Sequence, residues 1–404
     1  MAVAALLLPA TVMKAESEAL PTLDKTEISV AVQGNGQLGL QWPENINQSD
    51  FTTTWSVVPG YDRYVSVDST GNVQGLAITP SEGAQVKCDV KQEDGGREIE
   101  LVAIVHVTQA HFTTLSPTVA PGQKKTITVT GVNYDTSQIT CSVQNENVAT
   151  LVYDKSQWGT CKFQLQARKL GVTTATITVD GQTYKMNIIV TNPTLNATWI
   201  TTVSGKSKKL TVSQITGTMN PVWTSSNKSV ASVTQGGVVT FHKKGNASIY
   251  VTVDGITKRC AVTITYKKAI SVINTGKRKL GTPYSQARRM RKGYYDCSSF
   301  AWSIYRAHHV YLCSKRLAPV AAGEARFLSN TRRVVSYGYA PESKLLAGDL
   351  IFIKGPYNGR YRNICHVAMY IGNGKILHST TPYVKISDYS YYKDRITLIG
   401  RPLK

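Results

Sequence analysis

The sequence predicts a multidomain chain, a run of all-β sandwiches followed by one α+β domain. From Lys25 to about Ile264, short runs rich in Val, Thr and Ile alternate with Gly, Asn, Asp and Pro turns, the pattern of half-buried strands in sandwiches. After Tyr266 the texture changes to basic, aromatic, helix-compatible segments interleaved with strand-like ones. The length of 404 residues exceeds one ordinary domain and suggests three or four.

Residues 1–19 come first. Ala2 to Met13 are almost wholly apolar but too few to span a bilayer, and small residues follow at Ala15 and Ala19. This reads as the end of a secretory signal peptide. Its basic leading region is missing, as expected where the natural start lies upstream or is misassigned. No later stretch reads as a transmembrane helix, so the mature, exported chain is expected to be soluble or wall-associated.

Three loose repeats follow, expected at residues 20–107, 108–192 and 193–266. In the third, Trp223 opens an inner strand, Val230, Ala231 and Val233 supply core contacts, and Gly237 turns the chain. Val239 returns inward, and Ala247, Ile249 and Val251 alternate after Gly245. The first repeat echoes this with Trp55, Val65, Val67, Gly71, Val73 and Gly75. The second has Val148, Ala149, Leu151, Gly171, Ala175, Ile177 and Val179, with Cys141 in the tryptophan's place. At these residues the repeats resemble the bacterial Ig-like domain of group 2. The resemblance implies Ig-like sandwiches that act as spacers or adhesion modules and carry no catalytic residues.

Seven cysteines leave at least one thiol unpaired in an exported chain. Cys141 and Cys161 lie in two strand-like runs of one repeat, and a disulfide between them is the candidate bridge. Cys88 and Cys260 read as small buried hydrophobes, and Cys365 reads as core.

Residues 267–404 form the last expected domain. They hold 25 of the 46 Lys and Arg but only 6 of the 25 Asp and Glu, and so nearly all of the net charge of +21. A field of that sign concentrates polyanions. In an exported protein these are anionic wall polymers or acidic wall peptides rather than nucleic acid.

The run LGTPYSQARRMRKGYYDCSSFAWSIYRAHHV contains Asp296, a good N-cap, before a helical pattern at Phe300, Ala301, Ile304 and Tyr305. Cys297 then falls in the first helical turn, where the helix dipole and free N–H groups favour thiolate over thiol. The second run, LAGDLIFIKGPYNGRYRNICHVAMYIGNGKILHS, reads as three strands. His366 follows Cys297 by about 70 residues, the order of papain-type Cys/His pairs. His378 on the next strand is placed to orient His366, provided that both share a face. A two-residue turn would pair Met369 with His378 and separate them. A three-residue loop of Gly372, Asn373 and Gly374 would pair Ala368 with His378 and make the histidines diagonal neighbours. The second arrangement is expected. His308, His309 and Cys313 do not make a metal set, because adjacent helical positions point about 100° apart. No metal or other cofactor is called for.

Together LGTPY, DCS, GDLIFI and HVAMYIGNGKILHS resemble the NlpC family of papain-like cell-wall cysteine endopeptidases, over roughly residues 270–402. The resemblance implies that Cys297 is the nucleophile, His366 the general base and acid, and His378 the third polar residue. It also implies that Tyr284, Asp296 and Ser298 lie at the substrate, the last two at its amine end. The expected reaction is hydrolysis of the bond between γ-D-glutamyl and a diamino acid in peptidoglycan stem peptides. The expected partner is that peptide, taken by a monomer. Where the family carries Trp-Gly-Gly after its tyrosine, this chain has Ser285-Gln286-Ala287-Arg288-Arg289, and the glycine after DCS is Ser299. That rim is basic, so Arg288 and Arg289 are candidate contacts for substrate carboxylates. The alternatives are a thiol amidase or acyltransferase on the same fold, and a non-catalytic wall-binding adhesin.

Overall fold

The computed structural model describes residues 20–44, 46–155 and 161–403. The expected signal peptide at residues 1–19 lies outside them. The chain divides into two compact units, Met1–Thr191 and Asn192–Lys404.

The first unit holds two sandwiches. In one, the sheet Glu27–Ala31, Glu98–Thr108, Ala84–Gln92, Phe51–Val57 faces a smaller sheet of Asn35–Gln37, Asn72–Gly75 and Val65–Val67. Strict alternation along Ala84–Gln92 buries Ala84, Val86, Cys88 and Val90 between them. In the other, two four-stranded sheets enclose Ile127, Phe163, Leu165, Ile177, Met186 and Ile188. The disulfide expected between Cys141 and Cys161 is not formed. The residues lie in opposite sheets as free thiols, Cys141 donating to the Leu151 carbonyl at 3.4 Å and Cys161 accepting from the Tyr153 hydroxyl at 3.2 Å.

The second unit opens with a third sandwich, whose larger sheet runs Trp199–Thr202, Ile256–Ile264, Gly245–Val253, Val222–Ser225. Its repeat relation to the first is exact enough to see in one glycine each. Gly71 and Gly237 both have φ near +80°, and a Cβ on either would sit 2.5 Å from a leucine carbonyl and about 3 Å from the inner tryptophan ring. Only glycine fits this turn against Trp55 or Trp223.

The rest of this unit is α+β. Helices α1 (Lys267–Lys277), α2 (Cys297–Arg306) and α3 (Ala321–Asn330) precede strands β1 (Val334–Ser336), β2 (Leu350–Lys354), β3 (Ile364–Gly372), β4 (Lys375–Ser379), β5 (Val384–Asp388) and β6 (Ile396–Gly400). The strands form one antiparallel sheet in the order β1-β6-β2-β3-β4-β5. α2 and α3 cover one face, burying Phe300, Ile304 and Leu328 with Val367, Met369, Ile371 and Leu377. Each such large side chain contributes about 1.5–3 kcal/mol by leaving water. The other face buries Ile351, Ile353, Ala368, Tyr370 and Ile376 beneath Tyr389. With both faces covered, β2 and β3 read as nearly continuous apolar runs rather than alternating ones. Among the described residues, no helix is long and apolar enough to cross a membrane.

Candidate active site

Asp296 starts α2 with a reciprocal cap. Its Oδ1 accepts from the Ser299 N–H at 2.7 Å, and Ser299 Oγ accepts from the Asp296 N–H at 3.0 Å. This places Cys297 first in the helix, its side chain 7% exposed. The thiol lies against the backbone on either side of His366. It donates to the Cys365 carbonyl at 3.9 Å, and the Val367 N–H bonds its sulfur.

Burial pushes the Cys297 thiol up to about 12, and the Asp296 charge adds to this; the N–H groups of Val367 and Ser298 pull the other way and lose. The helix start therefore does not by itself yield the thiolate that the sequence suggests, because desolvation outweighs two N–H groups. Burial also drives His366 down to about 3, helped by His378 and Arg395, and His378 down to about 4, helped by Lys385. Cys297 and His366 thus rest as a pair with no net charge across the neutral range.

His366 Nε2 and His378 Nδ1 are 2.7 Å apart, and His378 Nε2 continues to Ser387 Oγ on β5 at 2.9 Å. Tyr392 packs against both imidazoles, with ring centroids at 6.2 and 5.8 Å. The hairpin between β3 and β4 delivers the expected diagonal register by an unexpected device. Met369 pairs with Leu377 and Tyr370 with Ile376, but Gly372 pairs with Lys375, so Ile371 is a β-bulge. The turn itself has two residues, Asn373 and Gly374, with φ of 50° and 65°. A two-residue turn plus one bulged residue restores the parity that a three-residue loop would have supplied.

The other candidates are placed as follows. Tyr284 is half-buried, its N–H bonded to the Pro382 carbonyl at 2.9 Å, and burial with the nearby Cys297 raises its hydroxyl. Ser298 is buried, its hydroxyl 3.3 Å from Asp296 Oδ1. Arg289 is not a free cation at the rim. Its Nε lies 3.1 Å from Asp296 Oδ2, and its Nη2 donates to Ser298 Oγ and to the carbonyls of Ala318 and Pro319 at 2.7–3.1 Å. It braces Asp296 from behind. Arg288 is exposed and lies over Tyr294, donating to its hydroxyl at 2.8 Å. Cys365, expected in the core, is exposed, because the sheet bulges between Ile353 and Lys354 opposite it.

Residues 281–401 match the model of the NlpC/P60 family. Residues 189–264 match that of the bacterial Ig-like domain (group 2). A γ-D-glutamyl-L-lysine dipeptidyl-peptidase of Bacillus cereus is 34% identical over 126 residues, 31% of this chain and 33% of that protein. A bifunctional muramidase/DL-endopeptidase of Bacillus subtilis is 29% identical over 124 residues, 30% of this chain and 32% of that protein. The chain thus spans about a third of the length of these curated relatives. A solved NLP/P60-family structure from Staphylococcus aureus, described as similar to lipoprotein, aligns at 21% identity and a TM-score of 0.28, covering 35% of this chain and 43% of that one.

Three residues of the NlpC/P60 segment escaped the sequence reading. Ser387 and Tyr392 carry no local signal, since their role arises from strand pairing. Glu324 does carry one, a carboxylate on the apolar stripe of Ala321, Ala325 and Leu328. It is fully buried, neither carboxyl oxygen has a hydrogen-bond partner, and burial with the nearby Asp296 pushes it well above the usual carboxylate range. Burial therefore favours its neutral form.

Proposed function

We propose that the NlpC/P60 segment is a cysteine endopeptidase of a secreted or wall-associated bacterial protein. Its substrate is the γ-D-glutamyl–diamino acid bond of peptidoglycan stem peptides. The observation that carries this reading is the placement of Cys297 at a helix start against the backbone on either side of His366, whose ring is hydrogen-bonded to His378. The names of the relatives support the bond, one being a γ-D-glutamyl-L-lysine dipeptidyl-peptidase and the other a muramidase/DL-endopeptidase.

In this mechanism the Cys297 proton passes to His366 as Sγ attacks the amide carbonyl. No free charge is created before attack, in keeping with the uncharged resting pair. The Asp296 cap takes the Ser299 N–H and the Ser298 N–H faces the Cys297 sulfur, which leaves that of Cys297 for the developing oxyanion. The C–N bond breaks as His366 returns the proton to the leaving amine. Water then attacks the thioester, giving one proton to His366, and the C–S bond breaks as that proton returns to the thiolate.

Cleavage of a purified muropeptide in ¹⁸O-labelled water tests the reaction class. One ¹⁸O in the new γ-D-glutamyl carboxylate establishes hydrolysis. An unlabelled fragment joined to an added amine would instead make the protein an acyltransferase.

A further inference from the structure

The bulge that aligns the two histidines is held from outside the sheet. Ile371 is the residue that the bulge removes from the β3–β4 ladder, and its carbonyl accepts a hydrogen bond from Thr201 Oγ1 at 3.1 Å. Thr201 belongs to Trp199–Thr202, the edge strand of the third sandwich. The next residue, Gly372, approaches this strand and its neighbour Ile256–Ile264 so closely that a Cβ would lie 2.9 Å from Thr263 Oγ1, 3.0 Å from Trp199 Nε1 and 3.1 Å from Thr201 Oγ1. The turn is tied from a second side. Asn246 Nδ2 of the sandwich donates to the carbonyls of Glu342 and Leu345 at 2.8 and 2.7 Å. Glu342 Oε2 accepts from the Tyr370 hydroxyl at 3.0 Å, which in turn accepts from the Gly374 N–H at 3.2 Å.

A bulged residue lacks its ladder partner, so its backbone groups need another one. If Ile371 slipped back into register, His378 would move to the opposite face from His366. We propose that the third sandwich is a working part of the catalytic unit, with Thr201 a positioning residue that acts on His366 and His378 through Ile371. The proposal rests on the catalytic roles assigned above.

The test uses the full chain and the variants Thr201→Val, Thr201→Ser and Thr265→Val. Thr265 makes a bond of the same kind, Oγ1 to the Ala347 carbonyl at 2.6 Å, but not to the hairpin. Thr201→Val is expected to lower kcat about tenfold with KM within about twofold, as for a small misplacement of a catalytic group. Thr201→Ser restores it, and Thr265→Val leaves it unchanged. Equal loss in Thr265→Val, or none in Thr201→Val, overturns the proposal. A readout without substrate separates it from the assigned reaction. This is the alkylation rate of Cys297 by iodoacetamide at pH 7, resolved by peptide mass spectrometry. It should fall several-fold in Thr201→Val and recover in Thr201→Ser. An unchanged rate counts against the role of Thr201, whereas a wild-type chain that alkylates normally but cuts no wall peptide counts against the reaction.

Discussion

His366 and His378 are joined directly, Nε2 to Nδ1 at 2.7 Å, and Ser387 Oγ closes the line at 2.9 Å from the far nitrogen of His378. This leaves Nδ1 as the nitrogen with which His366 can serve the thiol. His366→Ala should lower kcat/KM by about 10²–10⁴, the usual worth of a positioned general base. His378→Ala should lower it less, and His378→Gln less again, because an amide can still bond Nε2. Ser387→Ala should have the smallest effect. Steady-state cleavage of one defined muropeptide gives the order, and a loss in Ser387→Ala equal to that in His366→Ala would break the chain of roles.

The resting protonation of the site predicts how Cys297 reacts. With the thiol near 12 and the imidazole near 3, both groups are neutral between those limits, and the thiol proton can pass to His366 during attack without exchange with solvent. Iodoacetamide should therefore alkylate Cys297 at a rate nearly flat between about pH 5 and 9. In His366→Ala the proton must go to solvent from a buried thiol, and the rate should rise about tenfold per pH unit over the same range. A wild-type rate that climbs in the same way would mean that His366 does not take the proton. The exposed Cys313 and Cys365 make peptide-resolved mass spectrometry necessary.

Much of this arrangement was legible in the residues. The Asp-Cys start of α2 follows from cap chemistry, a local rule, whereas the His366–His378 diagonal was expected from a three-residue loop and is reached by a two-residue turn with a bulge. The bulge at Ile371 was not legible, because Gly372-Asn373-Gly374 suits either loop and the partner of the bulged residue, Thr201, is distant in sequence. Arg289 was misread for a related reason. Within a run of basic residues it looks solvated, and only the fold brings Asp296, Ser298 and two loop carbonyls to it. The spacer or adhesion reading of the sandwiches came from the family resemblance and carried no information about Thr201.

Glu324 predicts a pH-dependent stability. A carboxyl whose folded value is raised contributes stability that is fully present below its unfolded value, near 4.3, and is lost as pH rises through the folded one. Glu324→Gln stays neutral throughout. Its melting temperature relative to wild type should thus rise between pH 4 and pH 8, by about 2–4 °C for each ~1 kcal/mol. A difference that is constant with pH would mean that Glu324 is not buried as an acid.

Arg289→Met leaves the Asp296 carboxylate without its charged brace and should destabilise the start of α2. Loss of roughly 1–3 kcal/mol is expected, since Arg289 is one-fifth exposed and solvent screens part of the pair. Denaturant unfolding measures it. If Arg289→Met kept full stability but lost substrate affinity, Arg289 would be a substrate contact after all.

The central claim is that Cys297 cuts peptidoglycan stems. Its most direct test is digestion of purified peptidoglycan by the full chain beside Cys297→Ala, with the released fragments read by mass spectrometry. Fragments ending after γ-D-glutamate, absent with the alanine variant, are the predicted result. Fragments of the same kind released by both proteins, or none released from several wall types by a folded and reduced chain, would contradict it.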